Sequence, residues 1–93
     1  MRTQKKILQA EEEFFDRVWY NRKLVMLEAI RLGRTDMPPE HIMDGMEKHM
    51  RTVEAKYGGE ENLVYDDFEW GMVNGKLSAL RWVMGDDWDM LDT

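Results

Sequence analysis

An acidic cluster near the start of the chain is the stretch that most nearly has the pattern of a metal site. Helical hydrolases can hold Mg²⁺ with carboxylates on adjacent turns, and the three-residue spacing of Glu13 and Asp16 suits that chemistry. Such a site needs a second helix with another carboxylate pair, and the acidic residues between 60 and 67 supply no clear one. We therefore expect no bound metal or cofactor and interpret the cluster as a solvated face. Its members are Glu11, Glu12, Glu13 and Asp16.

Charged residues also interrupt the apolar faces of two predicted helices. Arg22 lies at the centre of the main apolar face of the first, and Glu69 and Lys76 lie within the apolar arc of the third. Because a buried charge must be paired, an Arg22–Glu69 ion pair is the simpler interpretation. The alternative is a polar pocket between these helices for a ligand with a carboxylate or phosphate. Its lining would be Trp19, Arg22, Glu69, Asn74, Lys76 and Arg81.

Other catalytic and metal-binding patterns are missing from the sequence. His41 and His49 are eight residues apart, which matches neither the di-iron nor the zinc spacing of helical sites. There is no cysteine, glycine-rich phosphate loop or nucleophile elbow. The leading interpretation is therefore non-enzymatic.

Acidic residues and tryptophan dominate the C-terminal third. Residues 60–93 hold 2 basic and 9 acidic side chains, whereas residues 1–59 hold 11 and 10. This imbalance argues against direct nucleic-acid binding and suits either a basic protein partner or solubility alone. Exposed tryptophans mark interfaces. The candidate contact residues are Trp70, Asp86, Asp87, Trp88 and Asp89.

The most apolar stretch predicts a helix that opens at Asp66 or Asp67 and ends at Gly85. Apolar residues cover most of its circumference at about 100° per residue, so we expect it to be the buried, central helix. Gly71, Gly75 and Ala79 are small residues that recur every four positions, which predicts close packing against the first helix. After Gly85, a short helical turn would return Trp88 to the core.

Two further helices are predicted, at about 4–32 and 38–57. Gly33 would end the first helix, and Asp36 is a possible cap for the second. The second helix has a predicted buried stripe that excludes Met43. The stripe consists of Ile42, Met46, Met50, Val53 and Tyr57.

The first helix carries a second apolar patch opposite its main face. The patch, Tyr20, Leu24 and Leu27, must meet either a third segment of the same chain or a second copy of the protein. A homodimer through this patch is therefore one expectation. Chain length predicts one domain over residues 1–93, and no apolar run approaches the roughly 20 residues of a membrane span. Without a secretory signal pattern or cysteine, we expect a cytoplasmic protein.

Two segments, FFDRVWYNR and WGMVNGKLSALRWVMGDDWDMLDT, resemble small proteins of unknown function found in bacterial and phage genomes. The resemblance covers both ends of the chain but not residues 33–64. It implies that a phage or mobile-element origin is plausible, and it brings no activity or site residue with it.

Together these patterns predict an all-α, compact three-helix bundle with a buried C-terminal helix. The leading function is a small acidic protein-binding module, in one form a phage-encoded inhibitor of a host nucleic-acid-handling or defence protein. The alternatives are a small-molecule, nucleotide-binding or Mg²⁺-dependent hydrolase-like domain and a homo-oligomeric structural component.

Overall fold

The structure, a computed structural model, describes residues 1–88. Within that range all regular structure is helical: α1 spans Gln4–Arg31, α2 spans Glu40–Lys56, a 3₁₀ helix spans Glu60–Asn62, and α3 spans Asp67–Val83. The predicted all-α class with three helices is confirmed. Of the expected terminal turn, residues 86–88 are not helical and the remainder lies outside the described residues. None of the described helices is both long enough and apolar enough to cross a membrane.

The helix ends follow the local signals of the sequence, with one exception. Gly33 and Gly85 adopt φ angles of 72° and 111° after α1 and α3, a conformation that glycine adopts at little cost. The start of α2 differs from the prediction. Its N-cap is Pro39 rather than Asp36, and no side chain caps it.

Asp66 and Glu69 form a capping box at the start of α3. The Asp66 carboxylate accepts a hydrogen bond from the Glu69 backbone N–H at 2.8 Å, and the Glu69 carboxylate accepts one from the Asp66 N–H at 3.1 Å. The expectation that Arg22 and Glu69 form a buried ion pair is therefore wrong. Glu69 is an exposed cap, and Arg22 is exposed as well.

The chain divides into two compact units that share α1. Unit 1 comprises residues 1–18 and 65–93, and unit 2 comprises residues 19–64. One helix contributes to both units, and each unit has its own hydrophobic core. The organisation as a single domain stays a prediction.

In unit 1, one face of α3 is buried and the opposite face is not. The buried core is Val18, Val73 and Leu77. Within this unit only the first part of α1 packs on α3, and one helix covers one face. The expectation of a helix buried all round is corrected accordingly. The exposed apolar residues of α3 include Phe68, Met72, Trp82 and Val83.

The two glycines of α3 do not pack closely against α1. A methyl group added at Gly71 or at Gly75 would meet nothing within 4 Å. The predicted close approach is therefore wrong, because these glycines lie on the exposed face of the helix.

Unit 2 has a core in which α2 packs against the second half of α1. Tyr20 is completely buried there, and Leu24 and Leu27 pack beside it. The second apolar patch of α1 thus meets a segment of the same chain, so a homodimer through this patch is not needed to cover it. On α2 the stripe is rotated from the prediction, since Met43 is buried and Ile42 is exposed.

Candidate functional site

Two exposed tryptophans at the end of α3 form the most distinctive surface feature of unit 1. The indole rings of Trp82 and Trp88 stack with centroids 5.0 Å apart and planes inclined by 12°. Trp82 is 50% exposed and Trp88 is 53% exposed. The sequence predicted that Trp88 returns to the core. That expectation is wrong, because its ring packs on Trp82 and remains open to solvent.

Acidic side chains accompany this Trp82–Trp88 pair. Asp86 and Asp87 are both exposed, and the Asp86 backbone N–H donates to the carbonyl of Arg81 at 3.0 Å, which fixes the turn after the helix. Asp89, the remaining aspartate predicted for the contact surface, lies outside the described residues. Unit 1 as a whole carries 6 basic and 11 acidic side chains, so it holds most of the net charge of −6.

An open apolar depression of about 420 Å³ adjoins the end of α3. Leu8, Val83 and Met84 are its exposed large apolar members besides Met1. Apolar surface beside stacked aromatic rings is typical of a protein-contact site rather than of a pocket for a polar small molecule. The lining residues are Met1, Arg2, Gln4, Ile7, Leu8, Val83 and Met84.

A second concavity of about 350 Å³ lies in unit 1 between the first part of α1 and α3. On its wall the Arg17 guanidinium donates to the Glu13 carboxylate at 2.9 Å and to the Tyr65 hydroxyl at 2.8 Å. Burial alone would lower the pKa of Arg17, but the hydrogen bonds to Tyr65 and Glu13 outweigh it and raise the pKa. The lining residues are Glu13, Phe14, Arg17, Tyr65, Glu69, Met72, Val73 and Lys76.

The six residues of the predicted polar pocket fall in different units. Trp19 and Arg22 belong to unit 2, where Trp19 packs edge-on against His49. The other four belong to unit 1, and two of them, Glu69 and Lys76, line the concavity beside Arg17. Lys76 lies over the ring of Phe14 at 5.5 Å.

The other two predicted pocket residues take structural positions. The Arg81 guanidinium lies 3.8 Å from the Glu11 carboxylate and 5.8 Å from the ring of Phe15. Asn74 is only 8% exposed; its amide N–H donates to the Trp70 carbonyl at 2.8 Å, and its buried Oδ1 has no hydrogen-bond partner. Trp70, predicted as a contact residue, packs against the core of unit 1.

Two members of the acidic cluster on α1 lie beside different arginines. Glu13 pairs with Arg17, and Glu11 lies near Arg81. Across residues 1–88 no group of three or more His, Asp or Glu side chains is arranged to hold a metal ion.

Sequence reasoning missed Trp82 and Tyr65 as parts of the candidate sites. Trp82 shares an apolar helix face with Phe68, and nothing in the periodicity shows which apolar face stays exposed. Tyr65 precedes α3, and its bond to Arg17 spans 48 residues of sequence, a separation that no local pattern predicts.

No protein-family model, curated protein or solved structure matches the chain.

Proposed function

We propose that this chain is a small acidic protein-binding module whose contact surface is the Trp82–Trp88 pair with the aspartates beside it. The observation that carries the proposal is the half-exposed stack of two indoles next to Asp86 and Asp87. Tryptophan contributes strongly to binding at protein interfaces because it buries a large rigid surface. Here two such rings remain available for a partner.

The charge of unit 1 supports a basic partner. Its balance of 6 basic to 11 acidic side chains attracts a positively charged surface and repels phosphate backbones. Arginine side chains of such a partner can also stack on indole faces. The combination of aspartates and tryptophans therefore favours an arginine- or lysine-rich protein surface.

In one form of this function the partner is a host protein whose basic groove normally holds nucleic acid, and the acidic module inhibits that protein by occupying the groove. The resemblance of the chain to small proteins of bacterial and phage genomes supports a phage or mobile-element origin. We therefore propose a host nucleic-acid-handling or defence protein as the target, with the module present in the cytoplasm.

Affinity capture from a bacterial host lysate tests this function. The immobilised chain is compared with an Asp86→Lys/Asp87→Lys variant and with Trp88→Ala. We expect each change to reduce capture of the specific partner by at least about tenfold, as truncation of interface anchors does. Excess duplex DNA should release the captured protein, because both ligands compete for one basic groove.

A matched control separates a local contact from net charge. The variant Asp44→Lys/Glu47→Lys makes the same charge change at two exposed positions of α2 in unit 2, and it should capture normally. If both charge variants captured the partner equally poorly, the effect would come from net charge and not from a local contact. Capture that survives Trp88→Ala, or that resists DNA, would contradict the proposed surface or the proposed target class.

The concavity beside Arg17 favours one alternative, a small-molecule site in unit 1. Its polar and charged side chains around the Phe14 ring fit a ligand with both an aromatic and an anionic group. A thermal-shift screen with nucleotides, with and without Mg²⁺, tests it. Stabilisation that is lost in Lys76→Ala would support this alternative, and no shift with any nucleotide would contradict it.

A further inference from the structure

The exposed face of α3 has the residue pattern of a helix that pairs with another helix. Phe68, Met72, Gly75 and Ala79 follow one another at intervals of four, three and four residues and lie within about 60° of one another around the helix axis. These are the intervals of core positions in a paired helix. Phe68 is 76% exposed and Met72 is 47% exposed, so this face has no partner within the described chain.

Large and small residues alternate along this face in a way that complements itself. If a second copy of α3 is laid antiparallel so that Met72 faces its Gly75, then Phe68 faces its Ala79. Because the arrangement is two-fold symmetric, Gly75 also faces Met72 of the second copy, and Ala79 faces its Phe68. A side chain on Gly75 would meet nothing in the monomer, so the space above it is open to the thioether of the second copy.

The charges that flank the face fit the same register. Glu69 and Lys76 lie on one edge of this face, whereas Arg81 is turned towards α1 and lies near Glu11. A two-fold axis brings each edge against the same edge of the second copy.

On this edge, at a rise of 1.5 Å per residue, Glu69 lies within about 3 Å along the axis of Lys76 in the second copy. This edge therefore carries two opposite-charge pairs in the dimer. A parallel arrangement would instead place like charges side by side. The complementarity thus selects the antiparallel orientation, as it does in natural helix pairs.

We propose that the exposed face of α3 binds a second copy of this chain in an antiparallel, two-fold symmetric helix pair. This proposal does not rest on the proposed function, since Trp82 lies beyond the last of the four layers. The surface also differs from the Tyr20 patch, which α2 covers.

Light scattering or sedimentation of the full chain, from micromolar to millimolar concentration, tests the proposal. The mass should rise from 11.1 kDa towards twice that value. In Gly75→Leu the new side chain fits the monomer but fills the space that Met72 of the second copy requires. This variant should remain monomeric with its helical circular dichroism intact.

Gly45→Leu is the matched control, because Gly45 lies in α2 and a side chain there also meets nothing. It should dimerise normally. A monomeric wild type, a Gly75→Leu variant that still dimerises, or equal loss in Gly45→Leu would each overturn the proposal.

Charge exchange tests the orientation separately. Glu69→Lys places lysine opposite lysine in its own dimer, and Lys76→Glu places glutamate opposite glutamate. Each variant alone should dimerise more weakly than wild type. Mixed together they should form a heterodimer, because both edge pairs regain opposite charges. Failure of the mixture to associate, while the wild type dimerises, would overturn the antiparallel register.

Discussion

The Tyr20 hydroxyl donates a hydrogen bond of 2.6 Å to the Glu54 carboxylate and thereby ties α1 to α2 within unit 2. The Tyr20 ring is completely buried. Burial raises the pKa of the Tyr20 phenol, and the hydrogen bond to Glu54 raises it further. Because the folded state holds this proton more tightly than the unfolded state, the contact links stability to pH.

We predict that the stabilisation from this proton is complete below about pH 10, the ordinary phenol pKa, and is lost as the pH rises above it. Above that pH the unfolded chain releases the proton while the folded chain retains it, which favours unfolding. Urea unfolding at pH 7 and at pH 11 measures the effect. The free energy of unfolding should fall more steeply for wild type than for Tyr20→Phe.

At neutral pH, Tyr20→Phe should lower the free energy of unfolding by about 2 kcal/mol, the usual contribution of a hydrogen bond to a charged group. Glu54 keeps its ion pair with Arg51, at 3.2 Å, in the variant. Identical slopes of stability against pH in wild type and Tyr20→Phe would contradict the linkage.

Substitution of Asn74 is expected to raise the free energy of unfolding, whereas Tyr20→Phe lowers it. Its Oδ1 is buried without a hydrogen-bond partner, and such an atom costs about 1–3 kcal/mol. Asn74→Ala removes that atom and gains helix propensity, at the expense of some packing. We expect a net rise of about 1 kcal/mol in the free energy of unfolding, measured by thermal and urea unfolding.

Asn74→Asp is the comparison that isolates the oxygen. It has nearly the same shape but places a charge at a buried position without a partner, so it should destabilise the chain strongly. If Asn74→Asp left the free energy of unfolding unchanged, the side chain at position 74 would be accessible to water in solution.

The capping box at the start of α3 predicts that Asp66→Ala lowers the free energy of unfolding by about 1 kcal/mol. The Glu69 backbone N–H loses its acceptor in this variant. Asp66→Ser retains a capping oxygen and should recover most of the loss. Equal stability of the alanine and serine variants, by urea unfolding, would show that the bond contributes little.

Leu63 and Val64 provide a test of the loop before α3. Leu63 is completely buried in the core of unit 2, and its carbonyl accepts a hydrogen bond from the Asn21 amide at 2.6 Å. Leu63→Ala should cost about 3 kcal/mol, whereas Val64→Ala, at an exposed neighbouring position, should change little. Similar losses in the two variants would contradict the burial difference.

The sequence predicted the ends of the helices better than their buried faces. Gly33 and Gly85 mark helix ends through backbone chemistry that is local, so a short window contains the signal. The buried face of α3 is a different problem. Val73 and Phe68 are both apolar and lie on opposite sides, and only the position of α1 decides that Val73 is buried.

For the candidate site, too, the sequence predicts local features but not those that depend on distant parts of the chain. Asp86 and Asp87 are exposed, and their place beside Trp88 follows directly from the sequence; their role in a contact surface stays a prediction. The stacking of Trp88 on Trp82, however, depends on the turn that Gly85 directs, and periodicity carries no information about such a turn. Arg22 was misplaced because an apolar neighbourhood in sequence does not ensure a covered position.

The continuity of α1 has a practical consequence for dissecting this molecule. Gln4–Arg31 is one helix, yet its residues up to Val18 belong to unit 1 and those from Trp19 belong to unit 2. Any truncation that isolates either unit must sever this helix near its middle and leave short fragments that are unstable as isolated helices. Epitope mapping on this chain therefore calls for point substitutions in the intact polypeptide.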